Sequence, residues 1–144
     1  MRHRRGQCNR GGRGPCTCEM GNLYRFCEPI VLLTLARLGR AHGYQISAEA
    51  APFNVTHAGV DGAAVYRALR RLESSGCVTS TWDTSGGGPA RRVYALTPRG
   101  REHLDEWVQV MDGIVGSIGR LTQESRRALD AGSQRKTSGT RRGA

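Results

Sequence analysis

Lysine is almost missing from this chain: Lys136 stands alone beside 21 arginines. Acidic residues are few as well, 12 over 144 positions, so the formal charge is +10. An excess of this sign points to a polyanionic partner, most simply nucleic acid. Arginine suits bidentate phosphate and base-edge contacts. A genome's composition also favours Arg over Lys, so the sign of the charge carries the inference. Long apolar runs are absent. The longest, Ile30-Val-Leu-Leu-Thr-Leu-Ala36, is far short of the roughly 20 residues of a membrane span, so no membrane partner is expected. The Arg- and Gly-rich opening contains no secretory apolar region, which predicts a cytoplasmic protein with reduced thiols. Catalytic sets are missing too. There is no Ser–His–acid combination, no framed carboxylate pair, no phosphate loop and no HExxH, so no enzyme is expected. The length fits one compact domain, and no repeat is visible.

What charge there is lies mostly at the ends. Residues 1–22 and 122–144 each carry a net +4, which leaves +2 for the middle. Residues 1–22, with Cys, Arg and Gly but few apolar side chains, cannot offset their chain entropy and read as a flexible segment. Residues 130–144 lack periodicity and read as a disordered basic tail. Between them the apolar pattern predicts an apolar helix near Pro29–Leu38, ended by Gly39. A second short helix over Tyr44–Ala51 is expected to turn Tyr44 and Ile46 or Ala48 inward and to stop at Pro52. Asp61 is placed to cap a third helix, in which Val65, Leu69 and Leu72 repeat at helical spacing. Its outer side carries Tyr66, Arg67, Arg70 and Arg71, and Gly76 ends it.

Val78–Asp83 and Arg92–Leu96 are strand patterns separated by a Gly-rich tip. Thr97-Pro98 opens a last helix, residues 97–129, whose Leu104, Trp107, Met111, Ile114, Ile118 and Leu121 form a seam at alternating three and four spacing. Such a seam wants a partner helix, and Gly113, Gly116 and Gly119 permit close approach. The fold class expected is therefore mainly α with a small β-hairpin: a winged helix-turn-helix over residues 23–96 followed by a long C-terminal dimerisation helix. In that architecture the third helix enters the major groove, and a wing carrying Arg91 and Arg92 lies along the phosphates or in the minor groove.

Four motifs in order carry a resemblance: His42-Gly-Tyr-Gln-Ile46; Val65-Tyr-Arg-Ala-Leu-Arg-Arg-Leu-Glu73 followed by Gly76-Cys-Val78; Gly87-Gly-Pro-Ala-Arg-Arg-Val-Tyr94; and Leu96-Thr-Pro-Arg-Gly100. Over residues 24–121 the chain resembles the PadR-like transcriptional regulators. That resemblance implies a homodimeric winged-helix protein that binds double-stranded DNA, usually a repressor acting at a roughly palindromic operator, paired through its C-terminal helix and often released by an effector. Where many relatives carry Pro-Gly-Thr-Leu ahead of the tyrosine, Gly62-Ala63-Ala64-Val65 stands here. The expected DNA contacts are therefore Tyr66, Arg67, Arg70, Arg71, Arg91 and Arg92. His42 and Tyr44 read as turn-fixing residues. Trp107 reads as interface packing, with stacking on a flat small-molecule effector as the alternative the resemblance suggests.

Cys8, Cys16, Cys18 and Cys27 offer four thiolates to a soft metal ion or an iron–sulfur cluster, although the spacing matches no zinc ribbon. Cys16 and Cys18, flanked by arginines, could instead form a redox-sensing pair. Unrelated cysteines are the remaining reading, and Cys77 is expected in the core. The rival functions are a thiol- or metal-dependent enzyme and a winged-helix adaptor that binds protein.

Overall fold

The computed structural model describes residues 26–53 and 62–138. The chain divides into two compact units, Met1–Asp105 and Glu106–Ala144, and each is taken in turn.

The first unit contains α1 (Cys27–Leu38), β1 (Arg40–His42), α2 (Gly43–Ala50), a short 3₁₀ turn (Ala51–Phe53), α3 (Gly62–Ser74), β2 (Val78–Asp83), β3 (Arg91–Leu96) and the opening of α4 (Pro98–Ser138). Helix α1 begins two residues before Pro29, because a proline anywhere among the first four helical positions gives up an N–H that has no partner there. Val31, Leu32 and Leu35 are fully enclosed, and the one buried polar side chain beside them, Thr34, donates its hydroxyl to the Ile30 carbonyl at 2.8 Å. Gly39, at φ 75°, ends the helix by returning its N–H to the Leu35 carbonyl. Left-handed backbone of this kind favours glycine.

Helix α2 buries Ile46 and Ala50. Tyr44, expected inward, is 55% exposed instead, and Ala48 is exposed too. Eight residues make barely two turns, and Ile46 and Ala50, one turn apart, fill the core-facing row by themselves. In α3 the expected Val65, Leu69 and Leu72 are buried along with Ala64 and Ala68. The expected cap, Asp61, lies outside the described residues.

The sheet has three strands, in the order β1-β3-β2, all antiparallel. The hairpin pairs Val78 with Leu96 through to Asp83 with Arg91. Strand β1 is an addition to the expected hairpin, pairing Ala41 with Tyr94. Together the helices and the antiparallel strands form a winged helix. Thr97 then caps α4: its hydroxyl oxygen accepts from the Gly100 N–H at 3.1 Å and its hydroxyl donates to the Gly76 carbonyl at 2.6 Å.

The second unit is the remainder of α4. Trp107, Met111 and Ile114 are half-buried, whereas Ile118, Leu121 and Leu129 are exposed. The helix continues to Ser138, nine residues into the segment expected to be a disordered basic tail from residue 130. Good helix formers extend it, including Ala128, Leu129, Ala131, Gln134 and Arg135. Arg127 also pairs with Glu124 one turn earlier, at 2.7 Å. No helix among the described residues is long and apolar enough to cross a membrane.

Candidate nucleic-acid interface

Burying Val65, Leu69 and Leu72 dictates which side chains of α3 reach solvent. Tyr66 and Arg70 fall one turn apart, as do Arg67 and Arg71, and all four are exposed. The side of the helix away from the core is therefore aromatic at its start and cationic after it. Tyr66 lies over the start of α2, where a Cβ on Gly43 would come within 2.5 Å of the tyrosine ring. A side chain at Gly43 would displace the half-exposed Tyr66 ring from this place.

Strand alternation puts Arg91 and Arg92 on opposite faces of the wing. Arg91 stacks its guanidinium on the Tyr44 ring, 5.7 Å from the centroid. Tyr44 in turn stacks on His42 at 5.7 Å with an interplanar angle of 16°. Arg92 shares the helix-side face with Trp82, its partner across the hairpin, and lies 5.5 Å from that indole. It also pairs with Glu73 of α3 at 3.7 Å.

His42 ties the loop end of β2 to α2. Its backbone N–H donates to Gln45 Oε1 at 2.8 Å, and its ring nitrogens lie 3.0 Å from Gln45 Oε1 and 3.2 Å from Asp83 Oδ2. The Asp83 carboxyl is held down at about 2 from 3.8, first by the Ser85 hydroxyl, then by the Ser85 backbone N–H and by His42. Stabilising hydrogen bonds to the ionised form lower a carboxyl in this way.

His42, Gly43, Tyr44, Tyr66, Arg91, Arg92 and Tyr94 line one shallow cleft of about 370 Å³. Three of the six expected contact residues, Tyr66, Arg91 and Arg92, thus meet there. Arg67, Arg70 and Arg71 are exposed on α3 and do not line it. His42 and Tyr44, read from the sequence as turn residues only, belong to the cleft. A signal for them existed in the pairing of an aromatic with the Arg-rich strand, but it needed β1 to be known. Cys27 and Cys77 are buried free thiols, while Cys8, Cys16 and Cys18 lie outside the described residues. Among the described residues no group of three or more His, Cys, Asp or Glu side chains is placed to hold a metal ion.

The family model of the PadR-like transcriptional regulators matches residues 31–106. This chain belongs to that family. Among solved structures the PadR-like chain is similar to TM0937, a conserved protein of unknown function described as a potential transcriptional factor. Identity is 28% and the TM-score 0.64, over 84% of this chain and 99% of that one. A PadR family transcriptional regulator from Eggerthella lenta is 30% identical with a TM-score of 0.55, over 69% of this chain and 84% of that one. A PadR-like transcriptional regulator from Bacillus cereus, 24% identical with a TM-score of 0.58 over 70% of this chain and 95% of that one, bears on the fold alone. No curated protein matches the chain.

Proposed function

We propose that this PadR-like regulator is a homodimeric, effector-responsive repressor that binds a roughly palindromic operator. Residues 23–96 would supply the DNA-binding domain and residues 97–129 the pairing helix. What carries the reading is one observation: Tyr66, Arg91 and Arg92 line a single cleft at the start of a helix whose outer side exposes Arg67, Arg70 and Arg71. A helix of this kind fits a major groove about 12 Å wide. Tyr66 and the two wing arginines are suited to the flanking phosphates. Two such helices about 34 Å apart would meet successive half-sites. Trp107, half-buried on α4, is the candidate for stacking a flat effector.

The test uses a duplex enriched from a random-sequence library by the wild-type protein. Arg67→Ala and Arg70→Ala are each expected to weaken binding to that duplex. An arginine that binds phosphate contributes about one to the slope of log affinity against log salt, and its removal lowers the slope by that amount. An arginine that reads a base edge gives about 1–3 kcal/mol of discrimination at one position, and its removal relaxes the preference there. Wild-type affinity in both variants would refute the placement of α3. A protein-binding adaptor would enrich no sequence at all.

A further inference from the structure

Glu73 is the only carboxylate on α3, and it sits in the last turn of the helix. Its two oxygens are divided between the two strands of the wing. Ser80 on β2 donates its hydroxyl to Oε1 at 2.5 Å, and the Arg92 guanidinium on β3 stands 3.7 Å from Oε2. Arg92 is held a second time by the Trp82 indole, its cross-strand partner. One acidic side chain thus joins the cationic helix to both strands of the hairpin and fixes the direction of an arginine that lines the cleft. With side-chain exposures of 43% for Arg92 and 30% for Glu73, the ion pair alone contributes little to stability. A carboxylate beside a phosphate-binding surface also repels DNA, so charge complementarity gives no reason for one at this position.

The geometry points to Glu73 as a positioning residue for DNA recognition: acting through Arg92 and Ser80, it locks the wing to α3 so that helix and wing engage one register of the duplex together. This rests on the DNA-binding reading above. Its signature is one of sign. If Glu73 were only a surface charge, neutralising it would remove repulsion and tighten binding to every DNA. As a strut, its loss leaves non-specific attraction intact or stronger while the specific complex weakens.

The experiment compares wild type, Glu73→Gln and Trp82→Leu on two probes, the duplex enriched by the wild-type protein and a shuffled duplex of equal composition. Glu73→Gln is expected to bind the shuffled duplex as well as wild type or better, and the enriched duplex about fivefold or more weaker, in the range of couplings between touching residues. Trp82→Leu, which removes the second hold on Arg92, is expected to lower the same ratio. In an Arg92→Ala background, Glu73→Gln should change the ratio much less, because its main target is gone. Equal or tighter binding of Glu73→Gln to the enriched duplex with an unchanged ratio would overturn the inference while leaving the DNA-binding reading in place. Enrichment of no sequence by wild type would bring down both. A purely structural role would lower the melting temperature without changing the ratio between the two probes, and that outcome also counts against the proposal.

Discussion

Asp83 shows how one side chain can organise the loop end of a hairpin. It accepts from the Ser85 hydroxyl at 2.6 Å and the Ser85 N–H at 3.0 Å, and it faces the His42 ring at 3.2 Å. Its carboxyl lies at about 2 in the folded chain against 3.8 for the free group. A pKa lowered on folding means that the ionised form is the stabilised one. The contribution is therefore complete above about pH 4 and is lost as pH falls toward 2. Thermal melts of wild type and Asp83→Asn should differ at pH 5 and converge near pH 2, and a gap that stays constant across this range would show that ionisation of Asp83 is not linked to folding. The sequence concealed this residue, as it concealed Glu73, because a lone carboxylate at a strand end or in a helix's last turn looks like an ordinary solvated charge. Trp82 was closer to legible, since the hairpin register sets it opposite Arg92.

At the scale of elements, legibility followed length. Strand β2 occupies the expected Val78–Asp83, and β3 begins one residue before the expected Arg92, because six residues are enough to display a period of two. Three residues are not. Arg40-Ala41-His42 carries no pattern, and only pairing with β3 makes it a strand. The join between the hairpin and α4 is the tightest of these connections. There the Thr97 N–H donates to the Cys77 carbonyl at 3.1 Å, and a Cβ on Gly100 would collide with the same carbonyl oxygen. Backbone cannot rotate away as a side chain can, so Gly100→Ala must push the start of α4 from the hairpin. A loss of about 3 kcal/mol, at the upper end of overpacking costs, is expected in urea unfolding. Gly86→Ala at the wing tip meets nothing within 4 Å and should stay within about 0.5 kcal/mol of wild type. Equal midpoints for the two variants would show that the backbone at Gly100 relaxes freely.

For the whole molecule, the charge of +10 and the seam of α4 have to be weighed together. Of that charge, +8 belongs to residues 1–22 and 122–144, which suits salt-sensitive, sequence-independent attraction to DNA. On the proposed reading specificity comes from the middle, whose net charge is only +2 but whose Arg67, Arg70, Arg71, Arg91 and Arg92 stand on one helix and one hairpin. The composition thus points to the partner, and the folded arrangement supports the proposal that selectivity lies on that helix and hairpin. A single recognition helix reads a short stretch of groove, and doubling it through symmetric pairing is the economical way to reach operator-length discrimination. The exposed Val115, Ile118, Leu121 and Leu129 on α4 would be the material for the proposed pairing, each removing apolar area from water if a second copy covers it. Ile118→Asp would place a charge in the middle of the stripe, where an unpaired carboxylate cannot be buried cheaply. Sedimentation equilibrium should then give a dimer for wild type and a monomer for Ile118→Asp. The variant should keep its salt-dependent binding to random DNA, because the charge of residues 1–22 and 122–144 and α3 are untouched. Its affinity for the enriched palindromic duplex should fall at least about tenfold, because two half-sites held by one molecule act at high effective concentration, whereas separate monomers do not. A wild-type chain that sediments as a monomer while binding the palindrome tightly would show that α4 serves another purpose.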